Sequence, residues 1–205
     1  MKRVVFVLVS LTFLSLFGCL QMIDGANKAL KEVNENSADK SESLSVNSYQ
    51  TINIDSLYSL SLPDYMKFYE NLHPEASLKY ANIYKEAYTI VIHENKEEFI
   101  DTFKAFDEYD IDLSPVENYA LVQKRSFKET LTDFKYQDYG LIEINGQPAR
   151  QIKMFGTVDG LNASYVVAFV EGKDNMYMIL NWTVGRRYEN LENTFEYING
   201  TFELL

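Results

Sequence analysis

Cysteine is almost absent from this sequence, since Cys19 is the only one among 205 residues. A single thiol cannot form a disulfide within the chain, and it rules out the clustered cysteines of structural zinc sites. The folded part of the protein must therefore be stabilised by its own core, even in an oxidising compartment.

Histidine and positive charge are also scarce. The two histidines, His73 and His93, have no partner at a metal-ligand spacing, so we expect satisfied or surface histidines rather than ligands or catalytic groups. The chain holds 19 Lys and Arg against 30 Asp and Glu, a net charge of −11. This acidic balance argues against a nucleic-acid partner and against binding of anionic lipid through bulk charge.

Sequence motifs of catalysis are missing as well. The chain has no phosphate-binding loop, no dinucleotide fingerprint and no G-x-S-x-G turn. The acidic stretch at 107–112 lacks the glycine and the alternate spacing of a calcium loop, so we expect a solvated loop there. The carboxylates of residues 94–101 fit a helix N-terminus better than a catalytic pair. We therefore predict no catalytic residue, no metal and no cofactor.

The first residues have a different character from the rest. Lys2 and Arg3 precede a 14-residue apolar segment, Val4 to Phe17. This segment has the length of a signal-peptide core and is shorter than the roughly 20 residues of a spanning helix.

The apolar segment ends in Leu16-Phe17-Gly18-Cys19, which resembles the bacterial lipobox. Leu16 stands three residues before the cysteine and the small Gly18 directly before it, whereas Phe17 is larger than the residue usual there. The resemblance implies that lipid is attached to the Cys19 sulfur and that residues 1–18 are removed as a signal peptide. An uncleaved signal anchor and a buried structural cysteine are the alternatives.

Lipidation of Cys19 would leave no thiol for catalysis. Several acyl chains on one terminus give stable attachment to a membrane, because each buried CH2 contributes about 0.8 kcal/mol. Leu20 follows the cysteine, not Asp. By resemblance to lipoproteins with an inner-membrane retention rule, this favours the outer membrane or the cell surface. Without Lys2 and Arg3 the mature chain has 17 basic and 30 acidic residues, a net charge of −13.

Residues 19–48 are predicted to form a flexible tether, since they are polar, rich in Ser and Asn and nearly free of aromatic residues. A flexible chain of this length spans roughly 30 Å. The remaining residues, 49–205, are long enough for a single well-buried domain.

Strand patterns open this predicted domain and return in its second half. YQTINID and LYSLSLP alternate apolar and polar residues, and residues 78–83 and 88–94 are interpreted as two more strands. Further on, Asn145-Gly146, Asp159-Gly160 and residues 172–175 are turn signals between apolar runs. They predict a four-stranded antiparallel meander.

Two helices are predicted between these groups of strands, and a third near the C-terminus. Asn95 with Glu98, and Ser114 with Glu117, are typical N-terminal caps. The apolar face of the second helix is predicted to continue to Phe134. Together the elements predict an α+β domain, an antiparallel sheet flanked by helices.

Three stretches of the domain resemble the PsbP-like family: YSLSLP in the opening strands, INGQPARQ before the meander, and INGTFEL at the end. The resemblance covers most of residues 49–205. It implies a sheet flanked by helices that serves mainly as a non-catalytic binding module, and bacterial relatives include envelope lipoproteins. No position matches a binding motif of the family, so no functional residue is carried over.

Aromatic residues are plentiful, with 15 Tyr and 13 Phe. Tyr88, Tyr165, Tyr177 and Trp182 lie on predicted strands. They are candidates for an interaction surface, because amphipathic aromatic side chains favour interfaces. The alternative is ordinary packing of the sheet against helices.

The predicted anchor, the tether and the missing catalytic motifs favour a non-enzymatic interaction or assembly module of the bacterial cell envelope. Its partners would be the membrane, through the lipid anchor, and an envelope protein. The alternative is a binder of a small or lipidic molecule, which predicts an apolar cavity between sheet and helices. A hydrolase with scattered carboxylates is a third hypothesis, and it requires distant acidic residues in one cleft with a raised carboxyl pKa.

Overall fold

The computed structural model describes residues 49–205. The predictions for Leu16, Gly18 and Cys19, for the signal peptide and for the tether concern residues 1–48, so they lie outside the described residues. Within residues 49–205, no helix is long and apolar enough to cross a membrane.

The described residues form strands and α-helices in the following order along the chain. The strands are β1 (Tyr49–Ile54), β2 (Tyr58–Pro63), β3 (Lys67–Phe68), β4 (Leu78–Asn82), β5 (Ala87–Asn95), β6 (Thr132–Asp138), β7 (Glu143–Ile144), β8 (Gln147–Val158), β9 (Leu161–Glu171), β10 (Asn175–Val184) and β11 (Glu203–Leu204). The helices are α1 (Lys96–Ala105), α2 (Pro115–Thr130) and α3 (Tyr188–Gly200), and a short 3-10 turn covers Glu70–Leu72.

Strand pairing within the described residues produces a large and a small antiparallel sheet. The large sheet has the order β3-β4-β5-β10-β9-β8-β6, and β7 also pairs with β8. The small sheet has the order β1-β2-β11. The predicted α+β class, an antiparallel sheet with helices packed on it, is confirmed.

The large sheet is covered on both sides. On its first face, α1 and α2 pack over a core that contains Phe99 and Tyr119. On its second face, α3 and the small sheet pack over a core that contains Phe195 and Phe202. Because both sides of β9 and β10 are buried, these strands are nearly continuous apolar runs rather than alternating ones.

Both predicted N-terminal caps are confirmed. The side chain of Asn95 accepts a hydrogen bond from the backbone N–H of Glu98 at 3.0 Å. The carboxylate of Glu117 accepts hydrogen bonds from the backbone N–H of Ser114 at 2.8 Å and from its hydroxyl at 2.6 Å. These local bonds fix the starts of α1 and α2 where the sequence indicates them.

The predicted tight turns are confirmed as well. Asn145 and Gly146 have φ of 47° and 82°, and Asp159 and Gly160 have φ of 49° and 80°. A left-handed backbone at both central positions is the geometry of a type I′ hairpin turn. At the third turn, the N–H of Gly172 donates to the carbonyl of Asn175 at 2.8 Å.

The prediction that the second helix continues to Phe134 is wrong. Helix α2 ends at Thr130, Leu131 has an extended backbone, and β6 begins at Thr132. Phe134 still packs against the core of the first face from this strand, so its apolar character fits either structure. Pairing decides the outcome, because β6 supplies hydrogen-bond partners to an edge of β8 that would otherwise lack them.

The turn into β6 packs tightly on the sheet. A β-carbon at Gly156 of β8 would lie 2.7 Å from the β-carbon of Leu131, so this contact needs a residue without a side chain. The glycine therefore allows the chain to leave α2 directly over β8.

The predicted first strand of the meander is confirmed only in part. Residues 140–144 contribute only β7, whose two residues pair with Gln147 and Pro148. The long partner of β8 is β6. Gly140, with φ of 68°, turns the chain after β6 and so separates the two strands. The short strands β3 and β11 are further elements that the sequence pattern does not indicate.

A series of buried polar side chains joins α3 to the second face. The hydroxyl of Thr89 donates to the Oδ1 of Asn181 at 2.8 Å, and the Nδ2 of Asn181 donates to the Oδ1 of Asn199 at 2.7 Å. The Nδ2 of Asn199 then donates to the Oε1 of Gln151 at 2.9 Å. All four residues are at most 5% exposed. Since buried amides are costly only when unpaired, this series positions α3 without loss of stability.

Candidate interaction surface

Three of the four predicted surface aromatics form a row on the first face. Trp182 lies opposite Tyr88 on β5 and opposite Tyr165 on β9. The rings of Tyr88 and Trp182 stack with their centroids 5.1 Å apart. Phe127 of α2 packs on Tyr165 at 5.5 Å. The three residues are 6–9% exposed, so internal packing buries this row.

Tyr177 lies on the second face instead. Its ring centroid is 5.6 Å from that of Tyr58 and 5.1 Å from that of Phe202, and the residue is 3% exposed. The four aromatic residues are therefore divided between two cores and do not form one surface. The alternative interpretation, packing of sheet against helix, describes their contacts. Burial raises the pKa of Tyr88 to about 12 and also raises the pKa of Tyr177, so both hydroxyls stay protonated at neutral pH.

A second group of apolar side chains is exposed where the large sheet ends at β3 and at the turn between β4 and β5. These side chains are between 42% and 80% exposed, and two exposed lysines flank them. We call this group the aromatic edge; it consists of Lys67, Phe68, Tyr69, Ile83, Tyr84 and Lys85. Large apolar side chains that are exposed in this way are candidates for a contact surface.

The side chain of Asn82 fixes the turn between β4 and β5, which carries Tyr84 and Lys85 and forms the tip of the aromatic edge. Its Oδ1 accepts hydrogen bonds from the backbone N–H of Tyr84 at 3.1 Å and of Lys85 at 2.9 Å. Its Nδ2 donates to the carbonyl of Tyr65 at 2.9 Å. A side-chain amide that replaces a backbone partner in this way stabilises a turn. The backbone is therefore fixed while Tyr84 remains 80% exposed.

The charges around the tip are partly arranged by ion pairing. The Nζ of Lys85 lies 4.6 Å from the ring centroid of Tyr65. The next residue, Glu86, is buried, and its carboxylate accepts from the Nε of Arg187 at 2.6 Å. Arg187 therefore neutralises the carboxylate of Glu86 at the end of this turn.

The described chain begins beside the aromatic edge. Tyr49, the first residue of β1, pairs with Pro63 at the end of β2. The Nε2 of Gln50 donates to the carbonyl of Met66 at 3.0 Å, and β3 starts at the next residue, Lys67. Residues 1–48 therefore join the domain on the side that carries the edge.

The acidic loop predicted between the first two helices lies at the other end of the large sheet. The N–H of Asp110 donates to the Oδ1 of Asn118 at 2.8 Å, and the carboxylate of Asp110 accepts from the N–H of Asp112 at 2.9 Å. These bonds fold the loop onto the start of α2, where Glu117 pairs with Arg150 at the beginning of β8. Among residues 49–205, no three potential ligands lie close enough together to hold a metal ion.

The histidines lie within packed surroundings. His73 is fully buried. The Nδ1 of His93 is 3.3 Å from the hydroxyl of Ser77, which also contacts the hydroxyl of Tyr58 at 2.8 Å and donates to the carbonyl of Val91. This part of the second face is a hydrogen-bonded layer beneath Tyr177, whose ring centroid is 5.9 Å from that of His93.

A polar cluster lies between α3 and the β6–β8 side of the sheet. Lys153 donates to the Oε1 of Glu192 at 2.9 Å, and the hydroxyl of Tyr139 donates to the same oxygen at 3.2 Å. Burial favours a higher pKa for Glu192, but the hydrogen bonds from Lys153 and Tyr139 help to outweigh it, and the pKa is lowered. Burial raises the pKa of Tyr139 and of Tyr188. The cluster therefore holds an ionised carboxylate and protonated phenols, with no group poised for proton transfer near neutral pH.

Glu94 comes nearest to the requirement of the hydrolase hypothesis. Burial raises its pKa, the nearby hydroxyl of Tyr119 opposes the rise, and the charge of Glu75 adds to it. Hydrolysis by two carboxylates needs a pair opposed across the scissile bond. The direct neighbour of Glu94 is instead the buried phenol of Tyr119, whose ring packs between Phe99 and Phe169.

The aromatic edge is not singled out by strand or helix periodicity. Phe68 and Tyr69 belong to a segment with a two-residue strand, and Ile83 and Tyr84 lie at a turn. The signal present in the sequence is composition, because IYKE places two large apolar residues where turns usually carry Gly, Asn, Asp or Ser.

No protein-family model and no curated protein sequence matches the chain. Among solved structures, the fold is similar to that of cyanobacterial PsbP (CyanoP) from Synechocystis sp. PCC 6803, with a TM-score of 0.53 and 11% identity over 82% of this chain and 99% of that chain. LpqN, involved in cell envelope biogenesis of Mycobacterium tuberculosis, aligns with a TM-score of 0.46 and 11% identity over 75% of this chain and 88% of that chain. The likeness to CyanoP confirms the PsbP-like α+β fold that the sequence resemblance implied, and at this identity it concerns the fold alone.

Proposed function

We propose that this protein is a lipid-anchored, non-enzymatic interaction module of the bacterial cell envelope, acting with an envelope assembly rather than on a substrate. The observation that carries the proposal is the aromatic edge beside Tyr49, where residues 1–48 join the domain. The lipid on Cys19 and the tether at residues 19–48 are parts of this proposal.

The exposed aromatic side chains of the edge support a role as a contact surface. Helices and the small sheet cover both faces, so the rings of Tyr88, Tyr165 and Trp182 are occupied by internal packing. Full burial of a Phe-sized side chain contributes about 1.5–3 kcal/mol. Phe68 and Tyr84 are exposed, so they do not contribute this free energy to the stability of the isolated domain. Burial of these side chains by a partner would stabilise the complex.

The titratable groups also support a role without catalysis. The carboxylate of Glu192 is neutralised by Lys153, and the phenols around it stay protonated because burial raises their pKa. A general base requires a group whose pKa lies near the working pH. The exposed acidic loop is held by hydrogen bonds to its own backbone.

The anchor makes a weak contact sufficient. A flexible tether confines the domain close to the membrane, and effective concentrations for such short linkers are on the order of millimolar. An edge of a few aromatic side chains can then be engaged most of the time, even with a low intrinsic affinity.

Site-specific photocrosslinking in living cells tests this proposal. A photoreactive residue replaces Tyr84 in one strain and Tyr136 in another; Tyr136 is 52% exposed on β6, at the other end of the strand order. We expect adducts from position 84 and few from position 136, and we expect Cys19→Ala to release the chain from the membrane fraction and remove the adducts. Equal adducts from both positions, or membrane attachment that survives Cys19→Ala, would contradict the proposal.

A further inference from the structure

We infer that Asn145 is a site of spontaneous deamidation, and that conversion of its amide into a carboxylate releases the C-terminal end of the domain. This modification is independent of the proposed function. The chain has two Asn-Gly pairs, Asn145-Gly146 and Asn199-Gly200, and an isoleucine precedes each of them. The fold gives these two similar sequences very different surroundings.

Deamidation at an Asn-Gly pair is an attack of the backbone on the side chain. The amide nitrogen of the glycine loses its proton and bonds to the Cγ of the asparagine, and the Nδ2 takes up a proton and leaves as ammonia. Water then opens the cyclic imide at either of its carbonyl groups, which produces aspartate or isoaspartate. Glycine favours the attack, because without a β-carbon it leaves the backbone free to adopt the required conformation.

The surroundings of Asn199 oppose this attack. Asn199 is 0% exposed, its Oδ1 accepts from Asn181 at 2.7 Å, and its Nδ2 donates to Gln151 at 2.9 Å. It lies in the last turn of α3, and N–H groups of a helix point along the axis towards the preceding carbonyls. The amide can react only after this end of the helix and the buried polar series have opened.

Asn145 and Gly146 are instead exposed at the tip of a short hairpin. The strand before them, β7, has two residues, which pair with Gln147 and Pro148 of β8. Because so short a hairpin is marginally stable, the turn can open while the rest of the sheet stays closed. A β-carbon at Gly146 would meet no atom within 4 Å, so the backbone of the turn has room to change conformation.

A carboxylate already contacts the attacking nitrogen. The backbone N–H of Gly146 donates to the Oε1 of Glu143 at 3.2 Å. A group within hydrogen-bond reach of the proton to be removed can act as the general base, so Glu143 is placed to accept this proton. In the closed turn two carbonyl groups hold the Nδ2 of Asn145, and opening of the turn must therefore come first.

The amide of Asn145 ties the turn to the C-terminal end of the domain. Its Nδ2 donates to the carbonyl of Gly200 at 3.0 Å and to that of Phe202 at 2.8 Å. An ionised carboxylate only accepts hydrogen bonds, so aspartate at this position loses both bonds and repels both carbonyl oxygens. Isoaspartate also lengthens the backbone of the turn.

The segment that these bonds hold completes the small sheet. Phe202 is fully buried, and its ring stacks on that of Tyr58 with the centroids 5.2 Å apart. After it, Glu203 and Leu204 of β11 pair with β2. Loss of the Asn145 bonds therefore weakens the attachment of β11, and because ammonia has left, the change is irreversible.

Peptide mapping by mass spectrometry tests the site. The purified full-length chain is incubated at mildly alkaline pH, and the conversion of Asn145 and of Asn199 is followed over time. We expect Asn145 to be converted at least about tenfold faster, because the opening that exposes Asn199 is larger. In urea the two pairs should react at similar rates, since neither then has a fold. Equal rates in the folded chain, or no conversion of Asn145, would overturn the inference.

A variant of Glu143 tests the assigned base. Glu143→Gln keeps the shape of the side chain without its charge, and it should slow the conversion of Asn145 several-fold. Glu129→Gln, which removes an exposed carboxylate from α2, is the matched control and should leave the rate unchanged. Equal rates in the two variants would overturn the role of Glu143.

Hydrogen exchange of the C-terminal segment tests the release. Asn145→Asp reproduces one product of the reaction, and Gln147→Glu adds the same charge elsewhere in the same hairpin. We expect the backbone amides of residues 202–205 to exchange at least about fivefold faster in Asn145→Asp than in the unchanged chain, and to change little in Gln147→Glu. Equal exchange in the two variants, or no change in either, would overturn the release of the C-terminal end.

Discussion

The aromatic residues of this domain occupy two environments that contrast sharply in exposure. Tyr88, Tyr165 and Trp182 form a row in the core of the first face and are at most 9% exposed. Tyr84, at the start of the turn into the same β5 strand, is 80% exposed. Residues of one chemical type therefore stabilise the core in the first environment and are free to contact a partner in the second. Position in the fold, within the core or at the edge of the sheet, decides which role each has.

The largest expected effect comes from breaking the buried row. Trp182→Ala removes a ring that stacks on Tyr88 and borders Tyr165, and it leaves a cavity. We expect the free energy of unfolding to fall by about 3–5 kcal/mol, measured by urea denaturation of the full chain. A fall no larger than that of Tyr84→Ala would show that the row does not support the core.

The next effect concerns the buried polar series on the second face. Asn199→Ala leaves the Oε1 of Gln151 without its partner in a buried site, and it leaves the Nδ2 of Asn181 with only the carbonyl of Val166 as acceptor. We expect a loss of about 1–3 kcal/mol in the same denaturation experiment. Asn193→Ala, an exposed position on the same helix, is the matched control and should change little. Equal losses would mean that helix propensity, not the buried amide, is responsible.

A smaller effect concerns the start of α2, the helix that covers the buried row. Hydrogen bonds from the Ser114 hydroxyl and from Arg150 lower the pKa of Glu117 to about 2, against a usual 4.5. Because the pKa is lower in the folded state, this stabilisation is present above pH 4.5 and is lost as the pH falls towards 2. Glu117→Gln should lower stability at neutral pH by about 0.5–2 kcal/mol, as for loss of a cap, and should reduce the loss on acidification. A pH profile of unfolding that is parallel for the two chains would contradict this assignment.

The smallest effect on stability is expected at the aromatic edge itself. Tyr84→Ser should change the free energy of unfolding by no more than about 0.5 kcal/mol, because the ring is exposed and the Asn82 bonds use backbone groups. The same change should reduce photocrosslinking from position 69 in cells. Unchanged crosslinking would mean that Tyr84 takes no part in the contact.

Local features of the fold were predictable because they depend on residues a few positions apart. The caps at Asn95 and Ser114 and the turn at Asn145-Gly146 are examples. The end of α2 was not predictable from local residues. The choice between helix and strand after Thr130 depends on the open edge of β8, which lies further along the sequence.

The candidate surface was unpredictable for a related reason. Alternation in β5 and β10 places rings on a face, but it does not tell which faces helices will cover, and Tyr88 meets Trp182 from a distant part of the chain. To predict the aromatic edge from the sequence, the strand that is last in the sheet must be known. Strand order is a property of the whole fold and cannot be obtained from local periodicity. The exposure of Ile83 and Tyr84 therefore has no periodic pattern in the sequence that indicates it.

Hydroxyl-radical footprinting of the tyrosines tests most directly whether the edge, rather than the buried row, makes the contact. The native lipidated chain is labelled in its membranes and after release in detergent, and modification of each tyrosine is compared by mass spectrometry. We predict that Tyr69 and Tyr84 are protected in membranes and become reactive on release. Tyr136 should be reactive in both states, and Tyr88 and Tyr177 in neither. Equal reactivity of Tyr84 in the two states, or protection of Tyr136 instead, would contradict the aromatic edge as the contact surface.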